Sequence, residues 1–160
     1  MIRRAEEKDA PEIARIFNHY IREGTSAFLD EPVASAVFFG WLMEMSCDKC
    51  VYVAEKDGKV LGFGVLKQYF DRRVFRRAAE PGYFIGPGET GRGIGSKLYE
   101  TLEKDALRLG IKRLLVSISS ENKGSIRFHS KRGFAKCGEF KKVGFKLGRE
   151  FDVVWMQKEL

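Results

Sequence analysis

Cysteine, histidine and long apolar runs are all scarce in this 160-residue chain, and each scarcity excludes something. The cysteines are Cys47, Cys50 and Cys137, an odd number with no apolar leader before them, so a disulfide framework is not expected. Cys47-Asp48-Lys49-Cys50 has the spacing of half a zinc site. A tetrahedral site needs two further Cys or His ligands, and the only histidines, His19 and His129, stand in unrelated contexts, so no metal is expected. The longest nearly continuous apolar run, Ala34–Met43, is about half of what a bilayer span requires. Met1–Glu7 carries charge where a secretory signal needs an apolar segment. A cytoplasmic protein with no membrane partner is the expectation.

No repeat or linker interrupts the sequence, and 44% apolar with 32% charged residues suits a globular fold with a real core. Residues 1–160 are therefore expected to form one domain. The net charge is +7, yet the 22 acidic residues are spread along the chain and there is no basic tail. The one dense basic cluster is Arg72, Arg73, Arg76 and Arg77. Nucleic-acid binding needs a basic face long enough to follow a backbone, so no nucleic-acid partner is expected.

The periodicity predicts alternating elements. Ile2–Ala5 reads as a first strand. Asp9 reads as the cap of a helix with Pro11 in its first turn and Glu12 closing a capping box; Ile13, Ile16, Phe17, Tyr20 and Ile21 recur at helical spacing before Gly24. Ala34–Met45 reads as a second helix. Residues 51–54 and 60–65 flank Asp57-Gly58, a hairpin signal. A short strand is expected near Gly82–Ile85, a long helix from Ile94 to Gly110, a buried strand over Arg113–Ser119, a short helix over Ser125–Arg132, and strands over 135–143 and 150–158. The sum is α/β, with a mixed sheet and helices on both faces.

Between the short strand and the long helix lie five glycines in ten residues, Gly86–Gly95. A strand entering a glycine-rich turn that opens a helix is an anion site: unpaired amides and the positive end of the helix dipole converge, and no side chain obstructs them. A Walker A loop is excluded because Ser96 precedes Lys97 instead of following it. Gly86-Pro87-Gly88-Glu89-Thr90-Gly91 fits a dinucleotide fingerprint, but Gly91, Gly93 and Gly95 occupy its helix, and Lys112 stands near the place of the ribose-binding acid.

Thr90-Gly91-Arg92-Gly93-Ile94-Gly95 resembles the Arg/Gln-x-x-Gly-x-Gly/Ala loop of the GNAT acetyltransferases. Asn122 and Ser125–Phe134 resemble that family's second cofactor segment. The likeness extends to the phosphinothricin and methionine sulfone/sulfoximine acetyltransferase branch. Its N-terminal features are matched by Ile2–Ala5, Ile16–Tyr20 and Ala27–Pro32, and its C-terminal signature by Val143–Arg149, Phe151–Val154 and Gln157. This resemblance implies a mostly antiparallel sheet splayed at an acetyl-CoA site, and direct acetyl transfer to the α-amino group of a small amino acid or analogue. It also implies a homodimer.

The same resemblance implies roles residue by residue. Gly86, Gly91, Arg92, Gly93, Ile94, Gly95, Ser96 and Asn122 would hold acetyl-CoA, with a backbone N–H near Phe84–Ile85 meeting the acyl oxygen. Thr90 departs from the usual Arg or Gln, which removes one side-chain donor. Glu80 is the implied base for the acceptor ammonium and His129 the implied proton relay to the departing thiolate. Arg72 and Arg76, with Phe75 between them, align with the acceptor segment, and Phe28 and Glu31 are candidates for its opposite wall. The alternatives are an acetyltransferase for another amine (a protein N-terminus, a polyamine or an antibiotic) and a basic binding module without catalysis.

Overall fold

Residues 1–160 are all described by a computed structural model. The strands are β1 (Ile2–Arg4), β2 (Ser46–Lys56), β3 (Lys59–Gln68), β4 (Ala78–Ile85), β5 (Arg113–Ser119), β6 (Ala135–Lys146) and β7 (Arg149–Glu159). The helices are α1 (Ala10–Glu23), α2 (Ser35–Met45), α3 (Ile94–Arg108) and α4 (Lys123–Ser130). Local signals placed most of them. Asp57 and Gly58 both take positive φ, 51° and 75°, which matches the twist of the β2–β3 hairpin they join.

Three expectations are corrected. Asp9 does not cap α1. It lies in a single 3-10 turn, and its carboxylate accepts from both Arg3 Nη atoms (2.7 and 2.9 Å) and from the Glu6 N–H (2.8 Å), while Glu12 pairs with Arg15. An arginine arriving from β1 offers a stronger, bidentate partner than the helix amides. β2 begins at Ser46, well before the apolar run, and passes through a bulge where Asp48 and Lys49 take positive φ. β4 begins at Ala78, because residues 79–82 pair in register with Gln68 back to Val65; Glu80 therefore lies inside the strand and not ahead of it.

The Arg3–Asp9 contact is a stability element. Asp9 is 4% exposed, and the hydrogen bonds from Arg3 hold its carboxyl below the usual range. Asp9→Ala leaves Arg3 with Glu55 as its one carboxylate partner, and thermal unfolding should show a loss of about 3 kcal/mol. Because the folded-state value is depressed, the wild-type contribution is complete above the unfolded carboxylate range. It disappears as pH falls through the lower folded value.

One sheet contains all seven strands in the order β1-β2-β3-β4-β5-β7-β6. Every neighbouring pair is antiparallel except β4–β5, which is parallel and pairs only at Ala78↔Arg113 and Ala79↔Leu114. Beyond that point the two strands diverge. The core is divided by the sheet: α1 and α2 cover Val51, Val53, Phe63 and Val65 on one face, and α3 covers Leu66, Ala79, Leu114 and Met156 on the other. With helices fixed on both faces, the gap between β4 and β5 stays open toward the end of the sheet where the glycine loop crosses.

Candidate active site

The divergence of β4 from β5 opens a cleft of about 1010 Å³, lined by both strands, the glycine loop, α2, α4 and the segment after α1. Alternation along β4 decides which amides face it. Gly86 N–H donates to Leu61 O (2.7 Å), so Phe84 and Gly82, two and four residues back, also direct their amides to β3. Tyr83 and Ile85 direct theirs the other way, into the gap that β5 has left. Pro81 has the same parity, so its missing N–H removes no bond from the β3 ladder. The Ile85 carbonyl, which shares that side, accepts the Tyr20 hydroxyl at 2.6 Å.

Across the mouth of the cleft runs the loop into α3. Gly91 and Gly93 take φ of 76° and 78°, and a Cβ on either would meet no protein atom within 4 Å. The backbone bends toward open space that the fold leaves unfilled. The first helical bond of α3 runs from Lys97 N–H to Gly93 O, which leaves the amides of Ile94, Gly95 and Ser96 without helical acceptors. Such a cradle fits an oxyanion such as a diphosphate. Glu89 stands beside it, but Arg92 Nη1 donates to Glu89 Oε2 at 2.5 Å and neutralises that charge. The Ser96 hydroxyl accepts from Arg132 Nη2 at 2.5 Å, which leaves its O–H and its amide as donors for a ligand.

Inside the cleft are two titratable pairs. Glu80 Oε2 accepts from Lys67 Nζ at 3.3 Å, and the Glu80 side chain is 15% exposed. On the α3–α4 side, the Tyr83 hydroxyl is hydrogen-bonded to His129 Nε2, with the two rings stacked 5.7 Å apart. His129 Nδ1 lies 2.8 Å from Ser125 O and donates to it, which fixes the tautomer and makes Tyr83 the donor to Nε2. Burial, with repulsion from Arg132, pushes the imidazole down to about 4 despite the Ser125 bond, and burial pushes the Tyr83 phenol up. His129 is therefore neutral at physiological pH. The unfolded chain protonates its histidine first, so stability falls as pH drops from about 6.5 toward 4.

The cleft brings together Glu80, His129, Phe84, Ile85, Gly91, Gly93, Ile94, Gly95, Ser96, Asn122 and Phe28. Phe28 is held by Phe151, whose ring fills the space of the absent Gly144 side chain. Asn122 caps α4 by accepting from Ser125 N–H and donates to Ser26 Oγ at 3.1 Å, tying α4 to the segment after α1. Gly86 lies outside: its amide closes the β3–β4 ladder, and a Cβ there would sit 3.1 Å from Leu61 O. Arg92 points outward onto Glu89. Arg72, Phe75, Arg76 and Glu31 do not line the cleft either. Arg72 extends toward Phe70, and Phe75 packs with Tyr69 and Phe70 in an exposed aromatic cluster. Sequence reasoning missed Lys67, Tyr83, Tyr20, Trp41 and Met45, all of which line the cleft. Strand alternation from Glu80 puts Tyr83 on the opposite face, but nothing local signals its histidine partner.

A parted sheet with an amide cradle at its mouth and proton-carrying side chains within defines an α/β enzyme that moves a group between an anionic carrier and a small acceptor. The chain belongs to the acetyltransferase (GNAT) family, whose model matches residues 13–134. Phosphinothricin N-acetyltransferase of Alcaligenes faecalis is 32% identical over 166 residues, covering 99% of this chain and 82% of the relative. L-methionine sulfoximine/L-methionine sulfone acetyltransferase of Salmonella typhimurium is 30% identical over 160 residues, covering 99% and 94%. The structure of a GNAT superfamily phosphinothricin acetyltransferase from Sinorhizobium meliloti in complex with AcCoA superposes with a TM-score of 0.93 at 26% identity, covering all of this chain and 88% of that one.

Proposed function

We propose that this N-acetyltransferase moves the acetyl group of acetyl-CoA directly to the α-amino group of a small amino acid or amino-acid analogue, both substrates being bound together in the cleft. The observation that supports this best is the shared opening: the amide cradle, the free edge of β4 and the Glu80 carboxylate all face one space large enough for two ligands. The cradle formed by Gly91, Gly93 and the first amides of α3 takes the diphosphate, with Asn122 and Ser96 nearby. When bound, the carrier supplies a thioester carbon, to which the acceptor nitrogen bonds as the carbon–sulfur bond breaks.

This chain's residues then have distinct duties. Glu80 takes the proton that the acceptor ammonium must lose before it is a nucleophile. The Ile85 N–H, with Phe84 fixing its orientation from the β3 ladder, donates to the acyl oxygen. Tyr83 turns its single O–H from His129 Nε2 to the departing sulfur and gives up that proton, and the phenolate regains one from the N–H that the acylated nitrogen loses. Phe28 forms part of the acceptor wall. A neutral His129 carries no proton on Nε2 and cannot be the acid; it is the hydrogen-bond acceptor that orients the phenol before transfer. Tyr83→Phe should accordingly lower kcat about tenfold with little change in acetyl-CoA affinity, measured by thiol release and calorimetry.

The protein is further proposed to be one domain over residues 1–160, a reading supported by the single sheet, and to work in the cytoplasm, supported by three free cysteines. A homodimer is supported by the exposed aromatic cluster of Tyr69, Phe70 and Phe75, with Val74 80% exposed beside it. Arg72 and Arg76 are assigned to that surface and not to the acceptor. The deciding experiment is an acetyl-CoA-dependent thiol-release screen across phosphinothricin, methionine sulfone, methionine sulfoximine and the common amino acids, with polyamines and peptides alongside. Turnover of α-amino acids is the expected result; turnover of polyamines or peptide N-termini alone would replace it.

A further inference from the structure

Lys67 is the only lysine or arginine among the residues that line the cleft. It lies near the end of β3, paired in register with Glu80 on one side and Ser46 on the other. Its stem runs over Gly82: a Cβ there would lie 3.9 Å from Lys67 Cε, so the glycine leaves the lysine room to lie across β4 toward the opening. The side chain is 35% exposed and its Nζ has Glu80 as its one hydrogen-bond partner. The second carboxylate of the cleft, Glu89, is taken by Arg92. One cation and one anion, 3.3 Å apart, are thus left facing the acceptor space. Next to them, Met45 directly precedes Ser46, and Trp41 lies one helical turn back on the same face of α2, both partly exposed to the cleft.

We propose that Lys67 is the residue that reads the acceptor's α-carboxylate, with the acceptor side chain lying against Trp41 and Met45. This inference rests on the acyl-transfer reading and names the residue that selects its acceptor. A zwitterion carries one charge of each sign about a single α-carbon, the complement of the Lys67–Glu80 pair. Its entry exchanges one internal ion pair for two intermolecular ones and leaves no charge in the cleft unpaired. A polyamine brings only positive charge against Lys67, and a peptide N-terminus presents a neutral amide where the carboxylate belongs. The exchange also has a chemical consequence. Drawing Lys67 onto the carboxylate releases Glu80 to face the ammonium, so the base is freed by the same contact that recognises the substrate.

Calorimetry on the enzyme saturated with CoA, titrated with L-methionine sulfone and separately with its carboxamide, tests the assignment without turnover. Wild type should bind the acid about 10- to 100-fold more tightly than the amide, the worth of a charge-assisted hydrogen bond. Lys67→Met should bring the ratio close to one, and Lys67→Arg should restore most of it. Acetyl-CoA affinity should be unchanged in both variants, which shows that each is folded. An undiminished ratio in Lys67→Met, or a wild type that binds both ligands alike or neither, overturns the assignment. Failure of the acyl-transfer reading looks different: wild type would release no thiol from acetyl-CoA with any amine, whatever the acid-to-amide ratio.

Discussion

Gly93→Val should weaken acetyl-CoA binding at least about 100-fold, equivalent to about 2.8 kcal/mol. Two effects combine. At φ of 78° the residue is in the left-handed region, where a β-branched side chain is strained. The added side chain also projects into space where no protein atom lies within 4 Å, the space an oxyanion must enter to reach the amides. Gly110, at the other end of α3, separates the two contributions. It has φ of 73° and equally open surroundings, but it does not line the cleft. Gly110→Val should cost comparable stability and leave calorimetric affinity for acetyl-CoA intact. If Gly93→Val binds within threefold of wild type, the diphosphate does not lie on this loop.

The cradle was legible in the sequence because its chemistry is local: a strand, closely spaced glycines and a helix start are consecutive, and backbone amides need no distant partner. The helices and the β2–β3 hairpin were legible for the same reason. What stayed hidden depends on register. Lys67 became a cleft residue only because β4 extends back to Ala78 and sets Glu80 opposite it, and no periodicity in residues 67–79 signals that extension. Tyr83 acquires its importance from His129, a neighbour 46 residues away. The Asp9 cap failed because Arg3 competes for the same carboxylate across a strand. Arg72 and Arg76 have guanidinium chemistry suited to an oxyanion, but their direction is set by the 3-10 turn at Arg73–Phe75 and its aromatic packing, which carries them away from the cleft. Chemistry was readable from residue types; the direction in which a side chain faces was not.

Glu80→Gln should lower kcat by about 100- to 1000-fold while acetyl-CoA affinity stays within about twofold of wild type. Glutamine preserves the shape and a hydrogen-bond acceptor toward Lys67 but cannot take up the proton of an ammonium. The split between kcat and KM separates this role from a structural one. Removing the carboxylate costs the acceptor ammonium its partner but also frees Lys67 of its internal counter-charge, so the acceptor KM should stay about level as kcat collapses. Simple damage to the cleft would raise it. The nature of the amine supplies a further discrimination. An acceptor whose amine is already largely neutral at the assay pH needs no base, so weakly basic amines should lose far less rate in Glu80→Gln than an ordinary α-amino acid does. An equal loss for both kinds of amine would mean that the carboxylate acts by shaping the site, and the proton would then have to leave by another route.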